Sequence, residues 1–337
     1  MRRARGWVFC ISMVGEFSHE DFPAIIAQQL YDDTMNSRQI PPLEQQMQTQ
    51  LLTLRDSLTE LTLAPALGAS LVNWTRRADG RPLLRPSDAH ALASGNPRRL
   101  ACYPLVPWSN RIGGGGFATP DGWQPLAANT DHEPLPIHGS AWQQPWQIVS
   151  ATSDSAILQL DSLTPFAYRA RLEITLDTGR LSLQLQATHK GPRANWYGLG
   201  LHPYFPRSST TQLQASAEGV WLCGDDKLSS QWIALPDSWN FSEPGRLPGQ
   251  LVDNAFTAWP GCARIIEQDA GYHISCRAKG TDLFLLYCPP EQNFFCFEPV
   301  THPVNAHHLP QRPGLHLLGP GQSCSLQFEL QYQALAS

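Results

Sequence analysis

Lysine is scarce in this sequence: Lys190, Lys227 and Lys279 are the three lysines among 337 residues. The formal net charge is −5, and no block of like charges occurs along the chain. Nucleic-acid-binding domains and membrane-binding faces need clusters of basic side chains. The charge pattern therefore argues against a nucleic-acid partner and against a membrane-binding surface.

Cysteine spacings typical of metal sites are also missing, because none of the eight cysteines forms a Cys-x-x-Cys pair. Such scatter is typical of reduced, mostly buried thiols in a cytosolic protein. No apolar run is long enough to span a bilayer. The first residues, MRRARGWVFCISMVGEF, place arginines before a short apolar run as signal peptides do, but no small-x-small cleavage site follows. We expect a cytoplasmic protein, with export as the alternative.

The pattern of the chain changes near residue 50. Residues 1–50 show little alternation of apolar and polar residues, and we predict that they form a mobile or loosely docked N-terminal extension. A short helix over Leu43–Leu54 is one hypothesis, since apolar residues recur there at helical spacing. Residues 51–337 are predicted to form a single domain.

From Leu61 onward, apolar residues recur at every second position, which is typical of β-strands with one buried face. The segment ARLEITLDTGRLSLQLQA is an example, with a predicted turn at Asp177–Arg180 between two alternating runs. Another alternating run, CSLQFELQY, lies near the end of the sequence. No amphipathic helix of ordinary length is evident after residue 60. The sequence predicts an all-β protein, a large antiparallel β-sandwich or barrel.

The segment PWSNRIGGGGF contains the first dense group of polar residues and four consecutive glycines. A phosphate-binding loop would need Gly-x-x-x-x-Gly-Lys-Ser/Thr followed by a helix, and neither is present. A flexible hairpin tip explains the glycines better. Asn110 and Arg111, just before them, combine a carboxamide with a guanidinium that has five fixed donors. These two residues are candidates for binding the hydroxyl groups of a ligand.

Three further segments each contain one candidate residue. His202 lies in GLGLHPYFPR, where the glycines would leave room for a ligand and Pro203–Phe205 would hold the imidazole in place. His138 lies in PIHGSAWQQPW, upstream of two tryptophans. Asp253 lies in LVDNAF and could accept hydrogen bonds from two hydroxyls. Each residue could instead be structural, in a buried strand end or in a turn.

Glu298 follows the apolar run FFCF and precedes a proline. A carboxylate at the end of a buried strand is costly, and burial raises its pKa, as suits a general base. The nearby His302, His307 and His308 lack the His-Glu-x-x-His spacing of a zinc site and are interrupted by proline, so we expect no metal. No Gly-x-Ser-x-Gly motif supports a serine hydrolase.

Six segments, in this order, resemble motifs of the aldose 1-epimerase (galactose mutarotase) family. They are LAPALGASL, PWSNRIGGGGF, HGSAWQQPW, GLGLHPYF, VDNAF and FEPVTHPVNA. The resemblance extends over about Leu61–Tyr332 and implies the large antiparallel β-sandwich of that family, called a supersandwich. It also implies that a free monosaccharide is interconverted between its α and β anomers without a cofactor. The chain would act as a monomer or homodimer.

The resemblance also implies roles for individual residues. His202 would be the general acid, in its protonated form, and Glu298 the general base. The sugar would be bound by Asn110, Arg111, His138 and Asp253. In one respect the sequence departs from the family, because Leu285 stands where better-known members have a glutamine that binds a sugar hydroxyl. The preferred sugar is therefore left open.

Three alternative functions remain at this stage. A glycoside hydrolase would need two carboxylates flanking one bond, and Glu298 with Asp253 is the one pair available. A sugar-phosphate epimerase would need more cationic residues than Arg111 near the site. A non-catalytic sugar-binding or sensing protein would not need both the acid and the base. The presence of both His202 and Glu298 favours an enzyme.

Overall fold

The alternating segments of the sequence form strands in the structure, a computed structural model that describes residues 50–335. In this part of the chain the strands begin with the following twelve: β1 (Leu52–Arg55), β2 (Thr59–Ala64), β3 (Ser70–Arg76), β4 (Pro104–Leu105), β5 (Gly116–Thr119), β6 (Gly122–Pro125), β7 (Gln147–Ala151), β8 (Ser155–Ser162), β9 (Tyr168–Asp177), β10 (Arg180–His189), β11 (Asn195–Tyr197) and β12 (Gly200–Leu201).

Twelve more strands complete the described chain: β13 (Tyr204–Pro206), β14 (Gln212–Ala215), β15 (Gly219–Cys223), β16 (Ser229–Ala234), β17 (Phe241–Arg246), β18 (Val252–Thr257), β19 (Cys262–Glu267), β20 (Tyr272–Lys279), β21 (Phe284–Cys288), β22 (Phe294–Pro299), β23 (His316–Leu318) and β24 (Ser323–Ala334). Helical structure within residues 50–335 is limited to α1 (Ala89–Ala93) and to 3-10 turns at Pro97–Arg99, Ala141–Gln143, Asp237–Trp239 and Ala306–His308. No described helix has the length and apolarity needed to cross a membrane.

The hairpin of β9 and β10 shows how the alternating pattern becomes structure. Thr178 and Gly179 form its two-residue turn, both with positive φ, which matches the twist of the flanking strands. On either side of the turn, Leu172 pairs with Leu185, and both side chains are buried. The antiparallel hairpin predicted from this segment is therefore confirmed.

Two large antiparallel sheets form the body of the fold. One has nine strands in the order β17-β14-β19-β20-β24-β10-β9-β8-β7, and the other has six in the order β13-β22-β21-β18-β15-β16. Buried side chains of both sheets, such as Leu185 and Phe328 from the first and Phe284 and Phe297 from the second, belong to one hydrophobic cluster. The predicted antiparallel β-sandwich is confirmed.

The first described strand corrects two expectations. Leu52–Arg55 pairs with β2 in an antiparallel hairpin, so the helix considered for Leu43–Leu54 is wrong at its C-terminal end. Strand structure also starts before Leu61. The physical reason is that Leu52 and Leu54 already alternate with polar residues, and pairing with β2 satisfies their backbone groups. The remainder of that helix, and the predicted extension 1–50 up to residue 49, lie outside the described residues.

Candidate active site

The register of the six-stranded sheet brings His202 and Glu298 together. Tyr204 on β13 pairs with Cys296 on β22, and continuing this antiparallel register by two residues places His202 opposite Glu298. Residues two apart on a strand share a face, so both side chains lie on the same side of the sheet. His202 Nε2 is 3.4 Å from Glu298 Oε1, and the two residues are 7% and 1% exposed. We call these two residues the histidine–glutamate pair.

The same face of the sheet forms one wall of a pocket of about 610 Å³. On neighbouring strands, Leu285 lies opposite Glu298 and Asp253 lies opposite Tyr287, and all four residues line the pocket. A pocket of this size is typical of a small-molecule site. All six site residues named from the sequence line it: Asn110, Arg111, His138, His202, Asp253 and Glu298.

The loop containing Asn110 fixes the orientation of His138. The Asn110 backbone N–H donates a hydrogen bond to His138 Nδ1 at 3.0 Å. Since Nδ1 is the acceptor, a neutral imidazole carries its proton on Nε2. Burial lowers the pKa of His138 well below its ordinary value, so the ring is neutral at pH 7. His138 therefore has one N–H available to donate to a ligand.

Arg111 is held by a group that sequence reasoning missed. Its Nε lies 2.8 Å from Oε2 of Glu133, a residue that is 7% exposed, and Lys227 Nζ lies 3.7 Å from the same oxygen. Although burial alone would raise the pKa of Glu133, the hydrogen bond and charge of Arg111 lower it. Glu133 is thus an ionised partner that orients the guanidinium. It lies in a polar loop without periodicity, so no sequence signal pointed to it.

Asp253 lies on the other side of Arg111. Its Oδ2 is 3.8 Å from Arg111 Nη1, while Arg111 Nη1 also donates to Oδ1 of Asn110 at 3.0 Å. Burial raises the pKa of Asp253, and the Arg111 charge offsets part of that rise. The guanidinium therefore joins the Asn110 loop to strand β18 across the pocket.

A stack of aromatic rings holds the His202 imidazole. The ring centroids of Tyr103 and Tyr204 lie 4.8 and 4.7 Å from that of the imidazole, and both rings are stacked against it. The Arg85 guanidinium covers the far face of Tyr204, 3.6 Å from its ring centroid. Burial, and then the Arg85 charge, lower the pKa of His202 to about 3. Tyr204 thus restrains the imidazole as the sequence predicted, whereas Phe205 lies in the core.

The expected role of the glycines before His202 is wrong. A Cβ on Gly198 would overlap the His302 ring, and a Cβ on Gly200 would crowd Leu105. These glycines therefore leave space for neighbouring side chains and not for a ligand. His302 Nε2 in turn accepts a hydrogen bond from the Ser109 backbone N–H at 3.0 Å, which places this histidine in a structural position.

Burial also decides the protonation state of the histidine–glutamate pair. It raises the pKa of Glu298 well above its ordinary value, and the charge of Asp253 raises it further. These directions favour a carboxyl that keeps its proton beside a neutral imidazole, whereas the sequence analysis assumed a protonated His202. The two descriptions contain the same single proton, and they differ only in which residue carries it.

Cys296 adds a third potential ligand atom beside the pair. One ligand atom from each of His202, Cys296 and Glu298 lies within 4.8 Å of the others. Metal binding would need both acidic groups to be deprotonated. Burial raises the pKa of the Cys296 thiol well above its ordinary value, as it does for Glu298. Both groups therefore hold their protons more tightly than they would in water, which disfavours metal binding by this cluster.

Comparisons with known proteins identify the family to which the chain belongs. Residues 50–331 match the sequence profile of the family described as aldose 1-epimerase. YphB of Escherichia coli K12, an uncharacterised protein, is 33% identical over 267 residues, which cover 76% of this chain and 91% of YphB.

Solved structures share the fold. One from Escherichia coli K12, provisionally named an aldose 1-epimerase, has a TM-score of 0.80 at 31% identity and covers 85% of this chain and 99% of its own. Galactose 1-epimerase from Lactobacillus acidophilus NCFM has a TM-score of 0.70 at 15% identity, with coverages of 85% and 95%, a likeness in fold alone. With the profile matched over most of its length, the chain belongs to the aldose 1-epimerase family.

Proposed function

We propose that this protein interconverts the α and β anomers of a free aldose, with Glu298 and His202 as its catalytic residues. The observation that carries the proposal is the 3.4 Å approach of His202 Nε2 to Glu298 Oε1 on the wall of a sugar-sized pocket. An acid and a base this close can act on two oxygens attached to the same carbon. The anomeric carbon of a pyranose has two such oxygens, the C1 hydroxyl and the ring oxygen.

The proposed reaction balances with one proton. The Glu298 carboxylate takes the proton of the C1 hydroxyl, the C1–O5 bond breaks, and the protonated His202 imidazole gives its proton to O5. The open-chain aldehyde then rotates about its C1–C2 bond. Closure on the other face returns one proton from O5 to His202 and one from Glu298 to O1. Each of the two proton transfers contributes about 10²- to 10⁴-fold to the rate.

Both positions of the single proton on the histidine–glutamate pair occur in this cycle. A carboxylate with an imidazolium is the state that opens the ring, and a carboxyl with a neutral imidazole is the state that closes it. Because the two groups are 3.4 Å apart, a small movement allows the proton to pass directly between them before a sugar binds. The pair can therefore enter the cycle without exchanging a proton with solvent.

The remaining pocket residues supply hydrogen bonds to the sugar in this proposal. Arg111 and the Nε2–H of His138 donate, and Asp253 accepts. Leu285, which is 2% exposed, contributes an apolar surface beside Glu298 where better-known family members have a glutamine. The preference among aldoses is expected to depend on this difference.

Polarimetry on freshly dissolved α-D-glucose and α-D-galactose tests the proposal. We expect the wild-type protein to accelerate the approach to the anomeric equilibrium and Glu298→Gln to lose at least about 100-fold of that acceleration. Glu243→Gln, on the exposed face of β17, is the matched control and should retain full activity. If the wild-type protein leaves the spontaneous rate of both sugars unchanged, the proposal fails for unsubstituted hexoses, and the sugar-phosphate and non-catalytic alternatives are tested next.

A further inference from the structure

Arg98 lies on the pocket wall, on the side of His138 and His202. It belongs to the 3-10 turn Pro97–Arg99, and its guanidinium lies 5.1 Å from the ring centroid of Trp142. Trp142 packs edge-on against His138, with ring centroids 6.2 Å apart. No carboxylate within residues 50–335 forms a salt bridge with Arg98, unlike the other pocket cations.

Among the described residues, the positive charge of Arg98 has no carboxylate partner in the pocket. Arg111 and Lys227 are matched by Glu133 and Asp253, through the contacts of 2.8, 3.7 and 3.8 Å described above. The histidine–glutamate pair with its single proton is neutral in either arrangement. One positive charge therefore remains, and it lies within cation–π distance of the Trp142 indole. A guanidinium presents its N–H donors in a rigid planar fork.

The mechanism determines which part of the sugar approaches Arg98. The ring oxygen, at His202, joins C1 to C5, and C1 carries the hydroxyl at Glu298. The substituent on C5 must therefore extend past His202 on the side away from Glu298. Arg98 lines the pocket together with His138 and His202, and it lies against Trp142, whose ring centroid is 6.2 Å from that of His138. The His138 ring in turn lies 5.2 Å from the His202 ring, which places Arg98 on the histidine side of the pocket.

We propose that the preferred substrate is an aldopyranose with an anionic group on its C5 substituent, a phosphate ester or a carboxylate, and that Arg98 binds this anion. The proposal rests on the anomer interconversion proposed above. Guanidinium groups bind both phosphates and carboxylates through paired hydrogen bonds, so this chemistry is common to the two kinds of sugar. In this proposal Arg98 is the additional cationic residue that a sugar-phosphate epimerase would need near its site.

Exchange NMR at anomeric equilibrium tests the proposal with D-glucose, D-glucose 6-phosphate and D-glucuronate as the three probes. For at least one anionic sugar, we expect kcat/KM to exceed that for glucose by about tenfold or more and to fall as sodium chloride is added. Arg98→Gln should reduce the ratio of anionic to neutral kcat/KM about tenfold, and Arg98→Lys should retain part of it. Arg99→Gln, an exposed residue of the same turn, is the matched control and should leave the ratio unchanged.

The outcomes separate this inference from the function on which it rests. Preference for the phosphate or for the carboxylate identifies the source of the anion, and either supports the proposal. Equal activity on all three sugars, or an equal loss on all three in Arg98→Gln, would overturn it while the anomer interconversion stands. Absence of catalysed exchange with every sugar, galactose included, would overturn the proposed function itself.

Discussion

The imidazole of His202 lies parallel to the ring of Tyr204, with centroids 4.7 Å apart and planes inclined by 18°. Arg85 covers the opposite face of Tyr204, and its Nη2 donates to the carbonyl oxygens of Arg98 and Leu100 at 2.6 Å. A positive charge is thus fixed one ring away from the proposed acid. This arrangement gives Arg85 a positioning role with a measurable electrostatic effect.

Replacing Arg85 should change the pH dependence of the reaction. The Arg85 charge lowers the pKa of His202, so Arg85→Met should raise that pKa and move the limb of the kcat/KM profile that His202 governs to higher pH, by about one unit. Exchange NMR from about pH 2.5 to pH 7 measures the profile. Arg85→Lys, which keeps the charge, is the control. A lower rate with an unmoved profile would show that Arg85 acts through structure alone.

Removing the charge of Glu133 should weaken substrate binding more than catalysis. Glu133→Gln keeps the size of the side chain but loses the ionic partner of Arg111, whose guanidinium would then be less well oriented. We expect KM to rise about tenfold while kcat changes less than about threefold. Glu60→Gln, in an exposed ion pair with Arg55, is the control for a lost carboxylate. A fall in kcat at constant KM would contradict the binding role.

Introducing glutamine at position 285 tests the departure from the family pattern. Leu285 lies opposite Glu298, whose Oε2 has no hydrogen-bond partner among the described residues. An amide donor in Leu285→Gln would stabilise the ionised carboxylate, lower the pKa of Glu298 and move the corresponding limb of the rate profile to lower pH. The ratio of galactose to glucose kcat/KM should change as well. Leu285→Met, which adds no donor, should alter neither quantity.

Outside the pocket, Glu267 predicts a pH-dependent stability. It is 5% exposed, accepts a hydrogen bond from Thr211 Oγ1 at 2.8 Å, and burial raises its pKa from 4.5 to about 7. Below pH 4.5 both the folded and the unfolded chain hold this proton. As pH rises through 7 the unfolded chain has already lost it, so the buried carboxyl lowers stability.

Glu267→Gln should therefore raise the free energy of unfolding at pH 8 by about 1 to 3 kcal/mol and change it little at pH 4. Urea unfolding at the two pH values measures the difference. Glu243→Gln, at an exposed site, should show no such pH dependence. An equal effect at both pH values would mean that the substitution acts through packing.

The sequence alone predicted the β-sandwich and six of the residues that line the pocket. The alternating run around Leu172 and Leu185 predicted its hairpin because burial of one face demands a period of two. His202 and Glu298 could be nominated because each lies in a recognisable motif. That they face each other follows from the β13–β22 register, which no local pattern encodes.

What the sequence did not reveal depends on contacts between distant segments. Glu133 and Arg98 lie in irregular segments without periodicity, and each acquires its position from a partner distant in sequence. Gly198 was noticed in the sequence, but its role was interpreted wrongly. The group that occupies the space next to its Cα is the ring of His302, about a hundred residues later in the chain. The arrangement of the charged residues around the pocket likewise could not be predicted before the fold was known.

The register that places His202 opposite Glu298 has a consequence for how the protein loses activity on heating. Backbone hydrogen bonds fix this segment on both sides, since His202 N–H donates to Tyr103 while β13 pairs with β22. The spacing of the two proposed catalytic groups is then a property of the sheet and not of a mobile loop. Local unfolding of a loop therefore should not cause a gradual loss of activity. Thermal inactivation should coincide with the cooperative unfolding of the sandwich.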